Sequence, residues 1–144
     1  MAAKDDFNDV AGPGRRVSIL VVTVPGRLRD SLLALLNSLP GVQQVYQAVD
    51  VAAARATAAR EAPAVLILDW DLWGPEAAAL LSWTRAQALR PICVGVVNGQ
   101  SQQAAAWEAG VEMTLLRGFS VQDLGGVVQS CTLAAASGPA QSGS

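Results

Sequence analysis

Two carboxylates, Asp69 and Asp71, flank Trp70 directly behind the apolar run Val65-Leu66-Ile67-Leu68. A run of β-favouring residues that halts at a carboxylate delivers one charge to the end of a buried strand. A carboxylate placed there can act as a nucleophile, ligate a hard cation or pair with a base. The rest of the composition narrows that choice. The chain has no histidine, which removes the commonest general base, the commonest metal ligand and every Ser–His or Cys–His nucleophile. Cys93 and Cys131 are too far apart for a metal-type spacing and read as small buried apolar residues.

The elements that must position Asp69 alternate between strand and helix. Val17 to Val24 is nearly all apolar and β-branched, as suits a central parallel strand. Pro25-Gly26 breaks it, and Leu28, Leu32, Leu35, Leu36 and Leu39 follow at helical spacing. Val42 to Val49 alternates like an edge strand, and Asp50 is the expected N-cap of an Ala-rich helix through Arg60. After the strand that ends at Asp69, Pro75 is expected to open a helix running to about Ala88. Pro91 to Val97 predicts a fourth strand, Gln100 to Ala109 a helix stopped by Gly110, and Glu112 to Leu116 a fifth strand. Ser120 is expected to cap a last helix to about Ala135.

Strict alternation of five strands and five helices demands parallel strands with right-handed crossovers. The predicted fold is therefore a three-layer, doubly wound α/β sandwich, (βα)5, with a flavodoxin-like strand order 2-1-3-4-5. Its switch point lies between the first and third strands. A site there draws on residues after Val22, after Leu68 and after Val96. The expected domain covers residues 15–135, with a disordered N-terminal tail at 1–14 and a disordered, linker-like C-terminal tail at 136–144.

Composition excludes several functions. Half of the 144 residues are apolar and the formal net charge is −2, so the electrostatic footprint of a nucleic-acid binder is missing. No apolar stretch approaches the roughly 20 residues that span a bilayer, and Met1 to Gly14 lacks the layout of a signal peptide. A cytoplasmic protein is expected.

The order and spacing of several segments resemble those of a response-regulator receiver domain, the CheY-like phospho-accepting module of two-component signalling. They are Arg16 to Val22, Leu32 to Leu36, Pro63 to Asp69 with Leu72 and Gly74, and Ala109 to Glu112 followed by Leu115-Leu116. The resemblance spans roughly Arg16 to Leu133. It implies a binding module rather than an enzyme. In that family an aspartate after the third strand accepts a phosphoryl group and an acidic pair after the first strand holds Mg²⁺. A hydroxyl after the fourth strand and a lysine after the fifth contact the phosphoryl group, and an aromatic on the fifth strand moves in response.

Carried over position by position, the resemblance matches Asp69 to the acceptor. It places Thr23 and Val24 at the acidic pair, Val96 (or Val97, with a one-residue slip) at the hydroxyl, Arg117 at the lysine and Thr114 at the aromatic. A hard cation loses two anionic ligands, so no cofactor is expected. Arg117 replaces a point charge with a planar fork, which predicts a bidentate ion pair with Asp69. The expected reading is a degenerate receiver, or pseudo-receiver, that acts through a protein partner or self-association without binding nucleic acid or membrane. Two alternatives stay open. One is a working phosphoacceptor in which Asp71 helps an unconventional Mg²⁺ site. The other is a small-ligand binder using Thr23, Asp69 and Arg117; the spacing Thr23-x-x-Gly26 is faintly similar to a flavin phosphate loop.

Tryptophans offer further candidates. Trp70 is expected to cover the edge of the site, Trp73 stands where receivers often carry proline, and Trp107 is expected to pack on the sheet. Trp83 is left toward the flank of its helix by Leu80, Leu81 and Thr84, either at an interface or against a neighbouring helix. By resemblance the contact face comprises the fifth strand and the last two helices, with Glu108, Met113, Thr114, Gly118, Phe119, Val121 and Gln122.

Overall fold

Strands that are apolar at every position require cover on both faces, and the sheet of this protein receives it. The computed structural model describes residues 17–87 and 91–143, with side chains for 17–71, 76–87 and 91–133. The tail at 1–14 lies outside the described residues. The elements are β1 (Val17–Val22), α1 (Arg27–Ser38), β2 (Val42–Ala48), α2 (Val51–Glu61), β3 (Val65–Asp69), α3 (Trp70–Arg85), β4 (Ile92–Val97), α4 (Gln100–Ala109), β5 (Met113–Leu116) and α5 (Val121–Gly143).

The strands form one parallel sheet in the order β2-β1-β3-β4-β5, the expected flavodoxin-like arrangement. Alternate side chains divide between two cores. Leu20, Val22, Leu66, Leu68 and Val97 pack with Ala54 of α2, Leu80 and Leu81 of α3 and Ala106 of α4. Ile19, Val21, Ile67, Val94 and Val96 pack with Leu32 and Leu36 of α1 and Leu124 and Val128 of α5. Cys93 belongs to the first core and Cys131 to the second, so the sheet separates the two free thiols.

Local signals set most boundaries. The Asp50 carboxylate accepts from the Ala53 N–H at 2.7 Å and opens α2. Ser120 and Asp123 cap α5 reciprocally, each side chain accepting the other's backbone N–H at 3.0 Å. Gly110 ends α4 in the left-handed region at φ 111°.

Two boundaries differ from expectation. Helix α3 begins at Trp70 rather than Pro75, because the Asp69 side chain itself serves as the N-cap and accepts the Asp71 N–H. A carboxylate that satisfies an orphan donor starts a helix earlier than a proline signal downstream. Helix α5 continues past Ala135 to Gly143, since an established helix adds one hydrogen bond per residue and the Ala134 to Ala136 run favours that extension. Among the described residues no helix is long and apolar enough to cross a membrane.

Candidate functional site

Register decides which side chains meet at the C-terminal rim. Val22 pairs with Leu68, so the next residues, Thr23 and Asp69, stand side by side. Asp69 pairs with Val96, and Val97 pairs with Leu116, which brings Arg117 round to the same rim. The Arg117 N–H donates to the Val97 carbonyl at 2.9 Å and fixes the start of that loop.

Asp69 is only 3% exposed, and four contacts compensate its burial. Its Oδ1 accepts the Asp71 N–H at 3.1 Å and Arg117 Nη2 at 2.9 Å. Its Oδ2 accepts the Thr23 hydroxyl at 3.2 Å and the same Arg117 Nη2 at 2.8 Å. A buried carboxylate left without partners is costly, whereas donors on both oxygens satisfy it in place. Thr23 is itself buried, and the Arg117 side chain is about one-third exposed, at 34%. The ion pair inferred from the sequence is therefore present. Its geometry differs from the expected fork, because one terminal nitrogen spans both carboxylate oxygens.

Asp71 lies in the first turn of α3. Its Oδ1 accepts Gln102 Nε2 at 2.7 Å, and Gln102 Oε1 accepts the Asn98 N–H at 2.8 Å. The next residue, Gln103, donates to the Thr114 hydroxyl at 2.7 Å. Neither glutamine stood out in the sequence. The signal available was a polar amide run, Gln100-Ser101-Gln102-Gln103, immediately after the Asn98-Gly99 turn.

Val96 and Val97 end β4 beside Asp69 and Leu116, but both are fully buried and point into opposite cores, because successive strand residues alternate faces. Val24 follows the end of β1 and is exposed. Trp70 is a core residue rather than a cover for the site, and its indole packs beside Gly95 of β4. Trp83 is half-buried against its neighbouring helix, with the Arg55 guanidinium 5.6 Å from its ring centroid. The Trp73 side chain lies outside the described residues.

Trp107 departs furthest from expectation. It is 50% exposed, because Ala106 takes the inward position at that turn of α4. Leu116 and Val121 are exposed on the neighbouring elements, while Met113, Thr114 and Phe119 are partly buried and Gln122 is exposed. Among the described residues no three His, Cys, Asp or Glu side chains gather as cation ligands.

No family model matches the chain. It is 28% identical over 108 residues to a protein-glutamate methylesterase/protein-glutamine glutaminase of Rhodospirillum rubrum, and spans 29% of that protein's length. A response-regulator structure from Chloroflexus aurantiacus superposes with a TM-score of 0.73 at 22% identity, covering 83% of this chain and 99% of that one. A LuxR-family two-component response regulator from an Aurantimonas species gives 0.69 at 18% identity, covering 83% of this chain and 86% of that one. NtrX from Brucella abortus also gives 0.69, at 23% identity, covering 83% of this chain and 26% of that one.

Proposed function

We propose that this chain, which has the fold of response-regulator receiver domains, is a signalling domain that works by protein contact with its rim latched shut. One observation carries this reading: Arg117 Nη2 lies within 2.9 Å of both Asp69 oxygens while the Thr23 hydroxyl adds a bond to Oδ2. A carboxylate so engaged has its lone pairs committed, and a nucleophile needs them free.

The hard-cation site that the receiver fold implies is poorly matched by these residues. The first strand supplies a buried hydroxyl at Thr23 and an exposed aliphatic at Val24. Asp71, the nearest further carboxylate along the chain, is already bonded through Oδ1 to Gln102. A hard cation wants several oxygen ligands, with carboxylates foremost.

The outward side of α4, β5 and the start of α5 supports a role in association. Trp107, Leu116 and Val121 are each close to half exposed, and tryptophan is enriched among residues that dominate interfaces. The test is to incubate the protein with a small phosphodonor and Mg²⁺ and measure intact mass. Unchanged mass is expected for wild type. A stoichiometric phosphoryl adduct that disappears in Asp69→Ala overturns the proposal.

A further inference from the structure

Strand β2 is an edge of the sheet, and among the described residues no strand pairs with its outer side. At seven residues it is the longest of the strands, whereas the opposite edge, β5, has four. Exposed edges are ordinarily kept short, or guarded by charge or proline. Strand β2 carries neither guard: it reads Val-Gln-Gln-Val-Tyr-Gln-Ala, and no Asp, Glu, Lys or Arg occurs between Asp30 and Asp50. An irregularity lies at its start, where the register with β1 slips, and from Gln44 to Ala48 the pairing is continuous.

The direction of the free backbone groups follows from one bond. The Thr23 N–H donates to the Ala48 carbonyl at 3.1 Å, so Ala48 turns its backbone groups toward β1. Along a parallel strand, successive residues turn both groups to alternate sides. Gln44 and Tyr46 therefore face β1 with Ala48, while Val45 and Gln47 present N–H and C=O outward. The side chains at this edge are also incompletely covered. Tyr46 is partly buried against the first core and Val45 against the second, and Gln44 and Gln47 are exposed.

We propose that β2 pairs antiparallel with β2 of a second copy of this chain, about a two-fold axis at Tyr46. This edge is separated from β3 and Asp69 by β1, and pairing there does not depend on the Arg117–Asp69 latch. In that register Val45 opposes the partner's Gln47, each N–H donating to the other's carbonyl, and the axis repeats the exchange on its far side. Tyr46 meets the partner's Tyr46 as a non-hydrogen-bonded pair, the arrangement that brings cross-strand side chains nearest and favours aromatic contact. Val45 and Tyr46 lie on opposite faces of the sheet, so one pairing covers the open end of both cores. A second copy fits because the edge is self-complementary. Every residue the axis brings together is neutral, so two chains of net charge −2 meet there without opposing like charges. Glu61, whose carboxylate acts on the Tyr46 hydroxyl, is itself paired with Arg60 at 3.0 Å.

Sedimentation equilibrium of wild type from micromolar to millimolar concentration is expected to show a monomer–dimer equilibrium. Gln47→Pro removes one outward donor per chain and leaves the ladder to β1 intact; it is expected to raise the dimer dissociation constant by about tenfold or more. Tyr46→Cys is expected to form a disulfide-linked dimer on mild oxidation, since the paired Cα atoms stand about 4.5 Å apart in this register. Gln44→Cys, which the axis carries away from its own copy, is expected not to. The native thiols are buried and do not compete. The two cysteine variants decide the matter if Gln47→Pro does not fold. A wild type that stays monomeric leaves the edge to a segment of another protein and overturns the second copy as its occupant. A dimer that Gln47→Pro leaves intact and Trp107→Ala weakens overturns the β2 pairing and places association on the face that carries Trp107. Equal crosslinking at both cysteine positions overturns the axis at Tyr46.

Discussion

Arg117 holds Asp69 by one nitrogen: Nη2 stands 2.9 Å from Oδ1 and 2.8 Å from Oδ2. The contact is thus closer to that of a point charge than to a fork, and this sets the expected outcome of substitution. Arg117→Ala leaves a buried carboxylate with only the Thr23 hydroxyl and the Asp71 N–H. Breaking a fully enclosed pair costs about 3–5 kcal/mol, and the partial exposure of Arg117 lowers the expected loss to about 2 kcal/mol. Arg117→Lys, which keeps a cation that can sit between two oxygens, is expected to cost less than about 1 kcal/mol. Urea unfolding of both variants measures this, and a lysine variant as damaged as the alanine one contradicts the single-nitrogen geometry.

Thr23 adds a second donor at Oδ2. Thr23→Val keeps the shape and removes the 3.2 Å bond to Oδ2. The expected cost is about 1 kcal/mol, because Asp69 retains its other donors. The Thr23 and Arg117 changes share one acceptor, so their combined effect is expected to differ from the sum by at least about 0.5 kcal/mol. A double-mutant cycle from denaturant midpoints gives that difference, and strict additivity would show that Asp69 does not couple them.

The rim was legible in part because strand register is simple. Asp69, Thr23 and Arg117 each follow an apolar strand, and parallel order places strand ends together. Trp70 was misplaced because sequence alone did not show that Asp69 caps its own helix, and that geometry turns the next side chain into the core beside Gly95. Trp107 was misplaced by one position, since Ala106 faces inward and a one-residue step on a helix rotates a side chain by about 100°. Gln102 and Gln103 escaped notice for another reason. Glutamine has no preferred role at a helix start, and its partners, Asp71 and Thr114, are distant in sequence and meet it only through the fold.

Gly110 gives a test of backbone against side-chain constraint. It ends α4 at φ 111°, and a Cβ at this position would run into the Arg85 guanidinium. Arg85 is exposed and can swing aside, whereas the left-handed backbone cannot adapt without disturbing the turn. Gly110→Ala is expected to cost about 1–2 kcal/mol. Arg85→Ala in the same background is expected to recover little of that loss. Thermal unfolding of the three variants decides between the two constraints, and full recovery on removing Arg85 would assign the cost to the side chain.

The two thiols predict how stability falls in alkali. Burial pushes Cys93 up to about 12 and Cys131 up to about 11 from an ordinary 9.0, with the Glu112 carboxylate adding to both. A thiol is neutral when protonated, so the folded state holds these protons above the pH at which the unfolded chain releases them. The stabilisation is fully present below pH 9 and is lost as pH rises through the folded values. Each thiol contributes a slope of at most about 1.4 kcal/mol per pH unit in that window. Tyr46 is also raised, by burial and then by Glu61, and adds a slope of the same sign. Denaturant unfolding from pH 8 to 11 is therefore expected to show falling stability, with a shallower slope in Cys93→Ala and in Cys131→Ala. Near pH 8 neither thiol is expected to react with a disulfide reagent until the protein unfolds, because the thiolate is the nucleophile and both sulfurs are buried. Rapid modification of the native protein at that pH would show that one core opens far more readily than its packing implies.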